Sequence, residues 1–437
     1  MHHRHPSPHP STPHAQSAGP ALLHRDHSPI GLYSQQAQGQ RWIETFCGQP
    51  ALLACVFGFT DTGLLPGISA AGATPTDRCY TALADAEFLA RGLADRPPRY
   101  PLPPLHSGIS PTVITRALWE QQRWPLVIFN AGLAPNRPLP AVPWVDLQGQ
   151  SARCVSTGRA IDRRVVDRLW QRGLQWGAQL AARVPGGYSI LGECVVGGTT
   201  TALAVLTGLG IAARGRVNSS HPTCNHQQKA KIVAQGLQAA PWDYADPGIQ
   251  SLDCHPLDLV AAVGDPMQVA VAGMAIAASR QGGVILAGGT QMLAVYALML
   301  ALAEAEGWQP GRDWWPDRVV VGTTRWVAED PTGDTPGLAA AIGERWGAAL
   351  TPCLMATQLS FAESRFPQLR VYEAGFVKEG VAAGGSAIAT SLCDLAEQGG
   401  LGAGSEGFQE SRGRLRSTIE TFVDRYQNWA NSTGYSD

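Results

Sequence analysis

The stretch Leu191-Gly192-Glu193-Cys194-Val195-Val196-Gly197-Gly198-Thr199-Thr200-Thr201 decides how the rest of the chain is read. It continues the apolar run Tyr188–Leu191 and opens an apolar segment, Thr200–Gly208, with helical character. A short buried strand that ends in glycine and threonine and enters a helix is the strand-to-helix half of a βαβ unit. Glycines let the backbone approach a ligand, and the free N–H groups and dipole at a helix start favour an anion. The segment reads either as a phosphate cradle, with Gly197, Gly198, Thr199 and Thr200 supplying donors, or as a tight turn that only packs. No Gly-Lys-Ser/Thr follows, which excludes a Walker A loop. The near dinucleotide fingerprint Gly208-Leu209-Gly210 falls after the helix and not before it.

The same pattern recurs outward in both directions. Ala51–Phe59 leads into Thr60-Asp61-Thr62-Gly63, Pro125–Phe129 into Asn130-Ala131-Gly132, and Gly283–Leu286 into Ala287-Gly288-Gly289-Thr290. Arg318–Val321 leads into Gly322-Thr323-Thr324, and Leu369–Val377 reads as a further strand leading into Lys378-Glu379-Gly380. Asp162–Ala182 reads as a half-exposed helix, Met292–Ala303 as a buried one, and Ser411–Trp429 as a charged amphipathic one. Alternation of this kind predicts an α/β fold with a mostly parallel sheet. Ligands of such sheets bind at the carboxyl ends of the strands, where all these turns fall.

Carboxylates occupy the same strand ends: Asp61, Glu193, Glu329, Asp330 and Glu379. Glu379 stands between the expected strand and the turn Gly384-Gly385-Ser386, where shielding would raise its pKa and suit it to general-base work. Glu193 reads more simply as a partner of the helix dipole. Lys229 and Lys231 read either as a solvated helix face or as a point charge for phosphate. His221, His226 and His255 lack a nucleophile at catalytic spacing, and Ser219-Ser220 lacks a Gly-x-Ser-x-Gly setting, which argues against a serine hydrolase.

Composition narrows the class. Of 437 residues 16% are charged and 44% hydrophobic, and the net charge is −2, which excludes an electrostatic nucleic-acid binder. The nine cysteines are dispersed with no C-x-x-C pair, and Cys224, His226, Cys254 and His255 fit no zinc spacing, so no metal is expected. This usage suits a reduced, cytoplasmic setting. Two apolar stretches, Leu259–Ala278 and Gly282–Leu302, are broken by Asp265-Pro266 and by Gly288–Gln291. Both therefore read as buried strand, turn and helix and not as membrane spans. Residues 1–35, rich in histidine and proline, read as a disordered tail ahead of one domain over 36–437.

In order along the chain, these motifs resemble the nicotinate-nucleotide–dimethylbenzimidazole phosphoribosyltransferases, and most closely their divergent, long uncharacterised archaeal and cyanobacterial branch. The resemblance runs from about Arg41 to Thr390. Phe59-Thr60-Asp61-Thr62-Gly63 with Gly67-Ile68-Ser69-Ala70 is similar to a family strand end, with Thr62 where the family has histidine. Gly192–Thr200 is similar to Gly-Glu-Met-Gly-Ile-Gly-Asn-Thr-Thr, with Gly198 in place of asparagine. Lys378–Ala387 is similar to the Gly-Glu-Gly-Thr-Gly-Ala segment that carries the catalytic glutamate, and Ala328–Pro331 echoes an Ala-Glu-Pro.

The resemblance implies a Rossmann-like sheet with helices on both faces, a smaller lobe of terminal helices and a homodimer. It implies transfer of 5-phosphoribosyl from nicotinate mononucleotide to a benzimidazole or purine-like base, with no cofactor. Glu379 is the expected base. Glu193, Gly197, Gly198, Thr199, Thr200, Lys229, Gly288, Gly289 and Lys378 are the expected phosphate and nucleotide contacts, and Asp61 and Ser69 the expected base-binding residues. Two other readings compete: a nucleotide hydrolase or kinase, which the missing Walker A loop disfavours, and a non-catalytic nucleotide sensor.

Overall fold

A computed structural model describes residues 28–96, 98–102, 108–134, 143–242, 254–399 and 404–433. Eight strands form one sheet: β1 (Ile30–Leu32), β2 (Ala51–Gly58), β3 (Leu126–Gly132), β4 (Trp144–Asp146), β5 (Tyr188–Cys194), β6 (Gly283–Ala287), β7 (Val319–Thr324) and β8 (Cys353–Thr357). Their order is β1-β8-β7-β6-β5-β2-β3-β4, and every pair is parallel except β1 with β8. The α/β class and the mostly parallel sheet expected from the sequence are both present.

Alternation along β2 shows why the sheet is covered on both sides. Leu52, Ala54 and Val56 enter one core, while Leu53, Cys55 and Phe57 enter the other. Successive side chains of a strand point to opposite faces, so a strand apolar at every position must be buried twice. The helices Arg163–Arg183, Gly198–Gly208, Pro266–Ser279 and Thr290–Ala305 contribute to the first core. Gln36–Phe46, Pro75–Arg91 and Ala383–Glu397 contribute to the second. A third cluster joins Pro111–Gln122 to the terminal helix Gly404–Thr433 through Val113, Leu118, Leu415, Ile419 and Phe422.

Three expectations are corrected. Leu369–Val377 is not a strand: the short helix Pro367–Arg370 is followed by turns. Leu369 and Tyr372 there are buried in the third cluster with Val371 and Val377 packed against it, a use that periodicity does not separate from a strand. Leu259–Ala278 holds two helices, Pro256–Val263 and Pro266–Ser279, divided at Gly264-Asp265. Asp265 caps the second by accepting from the Met267 and Gln268 amides. The domain boundary at residue 35 falls too late, because Ile30–Leu32 already pairs with Met355–Thr357. The reading of the histidine-rich segment 1–27 lies outside the described residues. Among the described residues, no helix is long and apolar enough to cross a membrane.

The order in which the chain adds strands reverses between β2 and β5. β3 and β4 build outward on one side of that pair, and β6, β7 and β8 on the other. Loops leaving two such neighbours diverge and open a crevice at their carboxyl ends.

Helix Arg163–Arg183 reaches helix Pro266–Ser279 through glycine. A Cβ on Gly177 would stand 2.2 Å from the Met274 carbonyl oxygen, and one on Gly173 would stand 2.4 Å from that of Ala270. Gly413, exposed on the terminal helix, faces nothing within 4 Å. Denaturant unfolding should therefore show opposite signs for one chemical change. Gly177→Ala is expected to destabilise by about 1–2 kcal/mol through overpacking. Gly413→Ala is expected to stabilise by up to about 1 kcal/mol through helix propensity.

Candidate active site

The crevice between the β2 and β5 loops is a cleft of about 990 Å³, counted with its mouth. Its floor is the turn after β5. Gly197 takes φ +88° there, and its absent Cβ would stand 2.7 Å from the Gly63 amide nitrogen. A Cβ on Gly63 would in turn stand 2.5 Å from the Val196 carbonyl oxygen. The two loops interlock backbone to backbone, which only glycine permits. Two helix starts converge on the cleft, at Gly198 and at Thr290. Ser219 and Thr290 line it, and among the described residues their buried hydroxyls have no hydrogen-bond partner. Helix dipoles and unpartnered hydroxyls together favour an anion at this end.

Glu379 lines the opposite wall. Its Oε2 accepts from the Thr324 amide at 2.8 Å and from Thr323 Oγ1 at 3.2 Å. Its Oε1 accepts from the amides of Gly380 at 3.1 Å and Gly384 at 3.0 Å. The loop around it is strained: Val377, Lys378, Val381 and Ala382 have φ of +63°, +69°, +49° and +66°. Non-glycine residues in that region cost of order 1–3 kcal/mol each and persist only where the surroundings fix them. Here Lys378 Nζ ion-pairs with Asp330, both side chains buried, and Thr324 Oγ1 donates to the Lys378 carbonyl at 2.6 Å. The Val381 amide donates to the Glu193 carbonyl at 3.0 Å, tying the loop to β5. Asp330 also accepts from Asn218 Nδ2 at 2.9 Å and from the Thr332 amide at 2.9 Å.

Burial sets the electrostatics. It lifts the Glu193 carboxyl to about 8, with further repulsion from Asp265 and Glu379, against donors that include Gln291. Gln291 Nε2 donates to Glu193 Oε2 at 2.6 Å. Burial lifts Glu379 to about 7 in spite of its four donors. Asp330 moves the other way: burial raises it, but the Lys378 bond and its other donors outweigh that and hold it below the ordinary carboxylate value.

The sequence-expected residues divide into two groups. Glu193, Gly197, Gly198, Thr199, Gly289, Lys378, Glu379 and Ser69 all line the cleft. Thr200 is buried behind it, and Gly288 lies under Glu193, where a Cβ would stand 3.5 Å from Oε1. Lys229 does not reach the cleft. It is fully buried and donates to the carbonyls of Val217 and Asn218, both at 2.7 Å, and burial lowers its pKa to about 8. Its role here is to prop the 217–220 loop, and Lys378 likewise spends its charge on Asp330. Asp61 is exposed on a short turn and lies outside the cleft lining.

Sequence reasoning passed over Asp85, Ser110 and Gln291, which also line the cleft. The only local signal for Gln291 was its place beside a glycine-rich turn. Asp85 carried none, being one acid of an amphipathic helix.

Residues 113–309 match the phosphoribosyltransferase family model, which makes this chain a pentosyl-transferring enzyme. A UPF0284 protein of Nostoc sp. (strain PCC 7120) is 56% identical over 83% of this chain and 94% of its own length. Another, of Cyanothece sp. (strain PCC 7425), is 58% identical over 83% of this chain and 92% of its own. The chain belongs to the nicotinate-nucleotide–dimethylbenzimidazole phosphoribosyltransferase family, in the branch formed by the UPF0284 proteins. Among solved structures, CobT of Thermus thermophilus superposes with a TM-score of 0.50 at 14% identity, over 89% of this chain and 95% of that one, and shares the fold. The nicotinate-nucleotide–dimethylbenzimidazole phosphoribosyltransferase of the same organism gives 0.47 at 17%, over 81% and 86%.

Removing Lys378 leaves Asp330 charged, buried and short of a partner. Lys378→Met is expected to destabilise by about 3–5 kcal/mol in urea unfolding at pH 7. Because the folded-state pKa of Asp330 is depressed, its contribution is present above the ordinary carboxylate value and fades as pH falls through the folded one. The deficit of Lys378→Met should therefore shrink in acid; a deficit constant down to pH 3 would show that the pair does not carry it.

Proposed function

We propose that this enzyme transfers 5-phosphoribosyl from nicotinate mononucleotide to a fused azole base and releases nicotinate, a step in assembling the lower ligand of a cobamide. The observation that carries the reading is the half-buried Glu379 carboxylate, held by four donors in one cleft with the helix starts at Gly198 and Thr290. The phosphate sits among the turn amides, Thr199, Ser219 and Thr290, and the base lies against the Glu379 loop. The enzyme acts in the cytoplasm as a homodimer.

Displacement at the anomeric carbon requires the azole to lose its second N–H proton as its other nitrogen attacks. Glu379, near pKa 7, takes that proton at neutral pH. Three of its four donors are backbone amides fixed by the fold; the fourth, the Thr323 hydroxyl at 3.2 Å, rotates freely. The azole N–H replaces that hydroxyl hydrogen on Oε2, and the proton passes to Oε2 as the bond to the ribosyl carbon forms. Glu193, near 8, is protonated and offers an O–H donor to the sugar phosphate, so the cleft does not set a second full negative charge beside it.

Two experiments test this. Nicotinate release from nicotinate mononucleotide should require an azole base and fall by about 100-fold or more in Glu379→Gln, the usual scale of general-base loss. Release independent of base, or undiminished in the variant, would sink the reading. The profile of kcat/KM against pH should rise through about 7, where Glu379 ionises, and fall above about 8, where Glu193 does. Glu193→Gln should remove the falling limb and keep the rising one.

A further inference from the structure

Among the described residues, Asp85 is the one buried carboxyl of the cleft that the reaction outlined above leaves without work. It projects from helix Pro75–Arg91, is 4% exposed, and lies beyond Cys194 from Glu193. Its Oδ1 accepts from Ser110 Oγ at 2.7 Å. Ser110's one donor is thereby committed, and its oxygen also accepts from the Thr112 amide at 3.3 Å at the start of helix Pro111–Gln122. Among the described residues, Asp85 Oδ2 has only the thiol of Cys194, at 3.5 Å. A thiol is a weak donor, so one oxygen of a buried carboxyl that lines the cleft is under-satisfied.

Ser110, Pro111 and Gly380 line the same cleft as Asp85 and Glu379. Pro111 follows Ser110 and packs on Gly380, where a Cβ would stand 3.5 Å from Pro111 Cγ. Gly380 is next to Glu379, and the Val381 carbonyl accepts from Thr115 Oγ1 at 2.7 Å on the same helix as Pro111. A planar base lying on this wall has its azole N–H toward Glu379 and its far edge toward Asp85. Burial raises Asp85 only to about 6, against its bonds to Ser110 and Cys194, so at pH 7.5 it is ionised and accepts hydrogen bonds only. A methylated edge against that oxygen buries it with no donor, whereas an exocyclic amine supplies one.

We infer that Asp85 selects the acceptor, and that the cleft takes fused azoles whose six-membered ring bears an N–H donor, the aminopurine class, ahead of bases methylated at that edge. This inference rests on the transferase reading of the same site.

The test compares adenine with dimethylbenzimidazole, which share the azole end and differ at the far edge. Base-dependent nicotinate release would be measured at pH 7.5 for the wild type, Asp85→Asn and Asp85→Leu, with calorimetric titration of each base alongside. The wild type should favour adenine by at least about tenfold in kcat/KM and in Kd, the scale for a site built to meet one polar group. Asp85→Leu should bring the ratio to one or below while leaving KM for nicotinate mononucleotide unchanged, and Asp85→Asn, which keeps an acceptor, should retain part of the preference. Dimethylbenzimidazole used as well as adenine by the wild type, or an adenine preference that survives Asp85→Leu, would overturn the inference. If Asp85→Leu does not fold, the wild-type ratio and Asp85→Asn decide. If neither base releases nicotinate but adenine binds more tightly in an Asp85-dependent way, the transferase reading falls and base selection stands. Binding of neither base sinks both.

Discussion

Once the Glu379 carboxylate is drawn back from solvent into the cleft wall, both of its oxygens must be met by donors, and that demand organises the carboxyl edge of the sheet. The donors come from three places: the end of β7, the residue after Glu379, and the start of helix Ala383–Glu397. To bring them together, the chain passes through four left-handed non-glycine residues, conformations that do not hold themselves. The Lys378–Asp330 pair and the Thr324 bond to the Lys378 carbonyl hold them on one side. The Val381 bonds to the Glu193 carbonyl and to Thr115 hold them on the other. A position that the proposed chemistry needs is thus secured by contacts to β5, β7 and two helices.

The same arrangement separates charges. Glu193, Glu379 and Asp265 lie close enough that burial and mutual repulsion raise Glu193. An anionic phosphate close to the ionised Glu379 would be repelled in a medium of low dielectric, whereas the protonated Glu193 can donate to it. The other donors that suit an anion lie at the helix starts and on Ser219 and Thr290. The lysines take no part in this directly. Lys229 and Lys378 are both buried in the scaffold, one on backbone carbonyls and one on Asp330, so the anion end is built from neutral dipoles. Fixed dipoles need no counter-charge when the site is empty, which a desolvated lysine would.

What the sequence made legible followed from local chemistry. The turn at Gly197-Gly198 was readable because a left-handed φ and a backbone approach under 3 Å both require glycine. Glu379 was readable as a carboxylate beside a glycine-rich turn, though for the wrong local reason, since the segment before it is not a strand. β8, Cys-Leu-Met-Ala-Thr, was invisible because it is short and carries little β-branching. Lys229 looked like a surface lysine or a phosphate ligand, and its burial against Val217 and Asn218 depends on a loop that no helical pattern encodes. Asp85 meets Cys194 across 109 residues and Ser110 across 25, and one sequence carries no signal for such meetings.

Under the proposed reaction, with Glu379 as its base, the saturation of Glu379 also bears on how the enzyme avoids becoming a hydrolase. A ribosyl group activated for attack is open to water as well as to the base, so general-base help must not be offered to water. A carboxylate with four donors on its two oxygens has no spare lone pair directed at the cleft. Three of those donors are backbone and do not yield. Only the Thr323 hydroxyl, the longest of the four, gives way, and a water would gain one bond there at the expense of another of equal kind. An azole lying on the Pro111 and Gly380 wall brings apolar burial as well, which tips that exchange in its favour. The hydrogen bonds that position the base thus also make its use conditional on the ring that fills the cleft.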